Sequence, residues 1–311
     1  MEQMIGVMEK GMPREKLDVT CSIVTYNSDP EELRCSIQSV FETRLKVGVF
    51  VIDNSPTDSL RQVSESNGAK YRLCSRNLGF GAGHNLAMRA CLDSSKYHLV
   101  LNPDARLEPG ALESVFRFLE EHPRVGLLSP RVLFPDGTLQ YACKLMPSPF
   151  TLAGRRFLRG PLARVLKKQV SEYELRDQDF TRVFSVPVVA GFCMFCRCEA
   201  LKQVGLFDER FFMYLEDYDL SRRIKSEYDV VYYPDAQVIH RADRGSYKHP
   251  HLLRIHILSA IRYFNKWGWF FDNFRKDENR RALSQSADTE LALPDGFALG
   301  IPPSVSTKGQ D

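Results

Sequence analysis

Apolar residues along the chain come in short runs that stop at polar, turn-forming clusters, and these runs alternate with stretches of helical period. Val19–Thr25 reads as a strand ending at Tyr26-Asn27-Ser28. Asp29 can cap the helix that follows, with Pro30 in its first turn and Leu33, Ile37, Val40 and Phe41 on one face. Val47–Ile52 is a second apolar run, closed by Asp53-Asn54-Ser55-Pro56. Tyr71–Cys74 is a weaker third strand that leads into a glycine-rich turn, with a helix expected from Asn85 to Leu92. A fourth strand, around Val100 and Leu101, is broken by Asn102-Pro103-Asp104. This alternation predicts a parallel sheet with helices on its faces. Loops rich in Asn and Asp, after Thr25, Ile52 and Leu101, then gather at one sheet edge, where open α/β folds bind ligands.

Downstream, Leu112, Val115, Phe116 and Leu119 mark an amphipathic helix closed by His122-Pro123, and Val125–Phe134 returns to strand character before the turn Pro135-Asp136-Gly137. Between Met146 and Thr181 the pattern loosens. There Arg155, Arg156, Arg159, Arg164, Lys167 and Lys168 interleave with apolar residues, as in a solvated loop or a contact with anionic lipid or an acidic acceptor. Glu216, Asp217 and Asp219 open a helix that runs through Lys225; plain N-terminal capping and a functional acid cluster both fit them. The approach to that helix is crowded by Phe207, Phe211, Phe212 and Tyr214. Asp235–His240 is a further strand. Leu252–Phe274 is rich in apolar and aromatic residues, holds both tryptophans, and carries Arg254, Arg262 and Lys266. An interfacial membrane helix and a helix packed on the main domain both fit it. From Lys276 onward the chain is polar, then rich in Pro, Gly and Ser, and no packed structure is expected.

Composition narrows the classes. At 311 residues, 43% hydrophobic and 26% charged, the chain is an ordinary globular sequence with room for a sizeable core. A net charge of +3 gives no reason to expect nucleic acid as a partner. No run of about 18 apolar residues occurs, and Met1–Leu17 is charged without an apolar core, so a cytoplasmic location is expected. The eight cysteines stand mostly alone in apolar segments and read as free buried thiols. Cys193 and Cys196 have zinc-like spacing, but alternation across Val186–Cys198 suggests a strand instead.

The glycines of Arg76–Asn85, at positions 79, 81 and 83, would let backbone amides approach a phosphate ahead of a helix, although their spacing is not that of a dinucleotide fingerprint. Asp104, just past a strand end, is placed to hold a divalent cation against phosphate oxygens; taken alone, Asn-Pro-Asp is also a common turn. In order along the chain, Ser22-Ile-Val-Thr-Tyr-Asn27, Ile52-Asp-Asn-Ser55, Asn77-Leu-Gly-Phe-Gly-Ala-Gly-His-Asn85, Leu101-Asn-Pro-Asp104 and Glu216-Asp-Tyr-Asp219 resemble the family 2 glycosyltransferases of GT-A fold. Within that family the chain is similar to bacterial rhamnosyltransferases and galactofuranosyltransferases of surface polysaccharide assembly.

That resemblance implies an α/β architecture, with a mostly parallel sheet, helices on both faces and a C-terminal helical extension. It implies a catalytic domain over 18–246, with a donor half to about 135 and an acceptor half beyond. A polar lead-in (1–17) precedes it, and a helical extension (247–275) and a structureless tail (276–311) follow. By the same resemblance, Thr25, Tyr26, Asn27, Asp53 and Asn54 hold the base and ribose of a nucleotide-sugar donor, and Asn77, Gly79, Asn85 and Asn102 complete the donor site. Asp104 and His240 would ligate Mg²⁺ or Mn²⁺, Asp217 would be the general base, and Phe212, Tyr214 and Glu216 would meet the acceptor. Asn102 stands where the family's metal motif has its first acid. The implied reaction is inverting transfer, most simply of L-rhamnose from dTDP-L-rhamnose, to a glycan on a lipopolysaccharide core or lipid carrier, with peripheral contact at the inner membrane face. UDP-galactofuranose or a UDP-hexose as donor, and a non-catalytic donor-binding or scaffold protein, are the alternatives.

Overall fold

The computed structural model describes residues 16–152, 162–241 and 250–285. Strands β1 (Leu17–Thr25), β2 (Val47–Asp53), β3 (Lys70–Leu73) and β4 (Ser95–Leu101) lie in the order β3-β2-β1-β4, all parallel. They are joined by helices α1 (Pro30–Phe41), α2 (Arg61–Ser66) and α3 (Phe80–Cys91). Asp29 caps α1 as expected, its carboxylate accepting the N–H groups of Glu31 and Glu32. Leu33, Ile37 and Val40 are buried on the face predicted for them.

Next in the chain come β5 (Ala105–Leu107), α4 (Ala111–Glu121), β6 (Val125–Leu133), β7 (Cys143–Lys144), α5 (Leu162–Tyr173), β8 (Phe184–Ser185), β9 (Val188–Val189) and β10 (Cys193–Arg197). They are followed by α6 (Cys198–Val204), α7 (Glu216–Lys225), β11 (Asp229–His240), α8 (Pro250–Trp267) and α9 (Asn273–Leu283). The main sheet continues from β4 through β10, β6 and β11 to β5. Strand β10 runs antiparallel to β4, with Cys193 opposite Leu101, whereas β6 and β11 are parallel to each other and antiparallel strand β5 pairs Ala105 with His240. The ends of β1, β2, β4 and β11 therefore share one edge with the entry into β10.

Both faces of the sheet are covered, which is why β4 is a continuous apolar run and not an alternating one. Leu99 and Leu101 face one core with Ile23, Leu33, Val51 and Leu112, and Val100 faces the other with Met88, Leu127, Leu220 and Val230. The same alternation sends Cys193 into the first core and Cys196 into the second, so the two cannot share a metal. All eight cysteines are free thiols, with only Cys35 partly exposed.

One expectation changes at the C-terminus. Asn273–Leu283 is a helix, not structureless chain: Asp272 caps it, and Glu278 and Ala282 are buried against the body of the protein. Helix α8 is firmly docked, with Tyr263 and Phe264 buried beside Phe211 and Leu215, each such burial contributing roughly 1.5–3 kcal/mol. The polar lead-in up to residue 15, the basic stretch from Arg155 through Lys167 and the tail beyond residue 285 lie outside the described residues or side chains. Among the described residues, no helix is long and apolar enough to cross a membrane.

Candidate active site

The polar ends of β1 and β2 are level, Thr25 opposite Asp53, and they brace each other. Thr25 accepts the Asn54 N–H at 2.9 Å, and Asn27, in the left-handed region at φ 50°, donates its N–H to Ser55 Oγ at 2.8 Å. Asn is among the residues that tolerate that region. The Asp53 carboxylate is fully buried and accepts from Ser55 N–H (2.9 Å) and the Tyr71 hydroxyl (2.7 Å). Tyr26 stands out, 56% exposed. Thr25 Oγ1 is buried with no partner among the described residues.

The glycine stretch is built differently from the phosphate cradle expected of it. Helix α3 begins at Phe80, so Gly81 and Gly83 lie inside its first turn. A Cβ at Gly81 would stand 2.8 Å from the Phe207 side chain, and one at Gly83 2.9 Å from Val24, so these glycines serve close packing. Gly79 alone is conformational, with φ 88°, and the Phe212 carbonyl lies where its Cβ would be. That carbonyl accepts the Phe80 N–H at 2.8 Å. Asn77 turns the loop by accepting the Gly79 N–H, and Asn54 holds it through Leu78 N–H and the Gly79 carbonyl. Asn85 departs from the expected donor contact. It is fully buried and pins the next segment, bonding Phe207 N–H (3.0 Å), the Phe207 carbonyl (2.8 Å) and Glu209 (2.9 Å).

Asp104 and His240 do converge, Oδ1 to Nε2 at 3.4 Å, with Asn102 Nδ2 at 3.5 Å from the same nitrogen. His240 Nδ1 meets Gln140 Oε1 at 2.7 Å, and its ring stacks on Phe192 at 4.2 Å. An amide oxygen can only accept, so Nδ1 carries a proton, and Nε2 is the nitrogen turned toward the Asp104 carboxylate. Burial works against the charge on Asp104, but the hydrogen bond and charge of His240 outweigh it and hold the carboxyl below its usual range. One carboxylate and one imidazole suit a hard cation that takes its other ligands from phosphate and water. No cluster of three or more His, Cys, Asp or Glu that could hold a metal occurs among the described residues.

Asp217 opens α7, and the two residues before that helix, Tyr214 and Leu215, are both left-handed, at φ 72° and 68°. Bulky residues adopt that conformation only where surrounding contacts enforce it. Asp217 Oδ2 accepts the Gly191 N–H at 2.8 Å and Oδ1 that of Tyr218 at 3.0 Å. Burial pushes its carboxyl up to about 6, against the pull of those two amides. Gly191 leaves a side chain little room, since a Cβ would lie 3.1 Å from Phe80 and 3.3 Å from Asp217. The next residue, Phe192, accepts the Asn102 N–H at 2.9 Å and stacks on His240. Two consecutive residues thus join Asp217 to the Asp104–His240 pair.

The expected acceptor residues fare unequally. Phe212 docks on the Gly79 turn through its carbonyl, and the Tyr214 ring lies 5.0 Å from that of His256 on α8. Glu216 does not line an open wall: it is 4% exposed beneath Gly81, and burial plus the neighbouring Asp217 charge push its carboxyl well up. Asp219, fully buried, accepts from Arg223 (2.9 Å), Lys266 (2.7 Å) and Trp267 Nε1 (2.8 Å) and so fastens α8 to α7. Gly191, Phe192, Gln140, Lys266 and Trp267 were not found by sequence reasoning. A glycine just ahead of a strand was the one available sign of close backbone approach.

These acids and the imidazole lie at the exit edge of a mostly parallel sheet, where open α/β folds bind ligands. The sequence matches the family model Glycosyl transferase family 2 over residues 20–205, and the chain belongs to that family. It is 29% identical over 267 residues to the N-acetylglucosaminyl-diphospho-decaprenol L-rhamnosyltransferase of Mycobacterium tuberculosis, covering 78% of this chain and 84% of that protein. It is 25% identical over 224 residues to the low-salt glycan biosynthesis hexosyltransferase Agl10 of Haloferax volcanii, covering 68% of this chain and 62% of that one. The fold is shared with S. aureus TarS (TM-score 0.53, 14% identity), the match covering 86% of this chain but 43% of TarS. It is also shared with the mannosyltransferase PcManGT from Pyrobaculum calidifontis, solved with GDP-Man and Mn²⁺ (TM-score 0.51, 17% identity, 90% of this chain and 77% of that one).

Proposed function

We propose that this glycosyltransferase is an inverting rhamnosyltransferase that moves L-rhamnose from dTDP-L-rhamnose to a hydroxyl of a lipid-linked glycan or lipopolysaccharide core, working at the inner face of the cytoplasmic membrane. The observation that carries the reaction type is Asp217, a carboxylate raised to about 6 and tied through Gly191 and Phe192 to the Asp104–His240 pair. A single base suffices for direct displacement. The acceptor hydroxyl gives its proton to Asp217 while its oxygen bonds the anomeric carbon, and the bond from that carbon to the diphosphate oxygen breaks on the opposite face. The electron pair leaves with dTDP. Asp104 and His240 Nε2 would hold Mg²⁺ or Mn²⁺, which supplies neutralisation of the leaving diphosphate. Thr25, Tyr26, Asn27 and Asp53 would receive the base and ribose, with Asn54, Asn77 and Gly79 shaping the loop above the diphosphate. Support for rhamnose and for a lipid-linked acceptor comes from the mycobacterial relative, which is named for both.

The test is slow release of nucleotide diphosphate to water from dTDP-L-rhamnose, UDP-galactofuranose, UDP-galactose and UDP-glucose, each with Mn²⁺ or EDTA. Metal-dependent release from dTDP-L-rhamnose alone is expected. Release from a UDP-sugar instead would make the protein a galactofuranosyltransferase or a UDP-dependent hexosyltransferase. Absence of both release and calorimetric binding for every donor would overturn the donor assignment.

A further inference from the structure

Helix α8 has two faces of opposite character. Its inner face holds the site together: Ser259 Oγ donates to the Met213 carbonyl at 2.8 Å, Lys266 and Trp267 reach Asp219, and His256 lies against Tyr214. Its outer face, at spacings of three and four, presents Arg254, Ile257, Leu258, Ile261 and Arg262 to solvent. Pro250–Trp267 contains no Asp or Glu. The apolar surface runs on beyond the helix. Trp269 donates Nε1 to Asn265 Oδ1, one turn past Ile261, and is followed by Phe270 (58% exposed) and Phe271 (92%). The Phe270 ring lies 6.2 Å from that of Phe150, itself 75% exposed.

Exposed apolar and aromatic side chains gathered along α8 and at Phe270, Phe271 and Phe150 mark a docking site. We propose that it docks on an anionic phospholipid bilayer, which brings the Tyr214 side of the site up to the membrane surface. Charge selects that occupant. Cations bracket the apolar stripe on α8 without an acid among them, a pattern that anionic headgroups complement and that a second copy of the same cationic helix does not. Aromatic side chains that are apolar in body suit the headgroup boundary. No described helix is long enough in apolar residues to span, so the contact lies in the plane of the interface. The proposal rests on the function proposed above only in taking the acceptor to be carried on lipid.

Sedimentation with phosphatidylcholine vesicles, with and without roughly one third phosphatidylglycerol, tests it on the full chain. Binding is expected to the anionic vesicles, with a blue shift in tryptophan emission. Phe270→Glu with Phe271→Glu should lower the partition at least about tenfold, since each change removes a buried aromatic from the boundary. Arg254→Glu with Arg262→Glu should abolish the preference for anionic lipid and leave the weak binding to neutral vesicles. Both variants should keep wild-type melting temperatures and wild-type donor hydrolysis in solution, a readout that fails only if the donor reading fails. Wild-type protein that ignores anionic vesicles, or a Phe270/Phe271 variant that binds as well, overturns the proposal. So does a wild-type dimer that this variant turns into a monomer, which would make the surface a self-interface.

Discussion

The two halves of the site reach order by different routes. In the donor half, Thr25, Asn27, Asp53, Asn54 and Ser55 sit at the ends of adjacent parallel strands and are held by bonds that follow from that one strand register. In the acceptor half, the contacts join elements that no strand ladder pairs: Asn85 to Phe207, Gly191 to Asp217, and Asp219 to Lys266 and Trp267. There the backbone also carries two successive left-handed residues, Tyr214 and Leu215. The donor half is a local device that a strand end supplies. The acceptor half is strained and depends on C-terminal helices to hold it, as expected where a carboxylate must be kept desolvated near neutrality.

The largest effect that would sharpen this contrast is on Asp217. Asp217→Asn should lower turnover by about 10²- to 10⁴-fold and leave calorimetric donor affinity near wild type; substantial residual transfer would remove the residue from its role. Because the active form is the carboxylate and its pKa is raised to about 6, wild-type kcat/KM should fall as pH drops through 6. The same shift has a stability signature. A carboxyl with a raised folded pKa favours the fold at pH below its unfolded value, and that contribution is lost as pH rises through about 6. The Asp217→Asn protein should therefore melt above wild type at pH 8 and level with it near pH 4.

Next in size is the C-terminal clamp. Arg222 and Asp272 form a buried pair at 2.6 and 2.7 Å, with side chains 6% and 2% exposed. Asp272→Ala, which leaves a buried guanidinium unpaired and uncaps α9, should cost about 3–5 kcal/mol by denaturant unfolding. A loss under about 1 kcal/mol would mean that α8 and α9 do not support the acceptor half. In the donor half, Asp104→Ala should weaken Mn²⁺-dependent donor binding at least about tenfold in calorimetry, with little change in melting temperature. Metal dependence that survives this change would break the pairing of Asp104 with His240.

The smallest expected difference compares two glycines of positive φ. Gly79→Ala drives a methyl into the Phe212 carbonyl, while Gly137→Ala, at φ 81°, meets nothing within 4 Å. Gly137→Ala should cost only the left-handed penalty of about 1–2 kcal/mol. Gly79→Ala should add overpacking of about 1–3 kcal/mol and should impair acceptor use as well as donor use, since that carbonyl belongs to the acceptor half. Equal losses of stability would show that the two halves are not joined there.

Strand and helix order through Leu133, apart from the short strand β5 and the start of α3 at Phe80 instead of Asn85, was legible in the sequence, as were the Asp29 cap and the edge where Asn102, Asp104 and Asp53 gather, because period and turn chemistry act over a few residues. The motifs also identified the family, and Asp104 and His240 do meet. Other features were decided only by tertiary structure. Asn85 and Glu216 carry the residue types of a binding site, yet they are buried, because what α3 packs against is set by Phe207, more than a hundred residues away. Gly81 and Gly83 looked like a phosphate loop and turned out to be contacts for Phe207 and Val24. Asn273–Leu283 is polar enough to look structureless, and it folds because Arg222 and the body of the protein give Asp272 and Glu278 buried partners. Local sequence fixes which groups a segment can offer; only long-range packing decides whether a group faces the cleft or the core, since burial depends on neighbours that sequence distance hides.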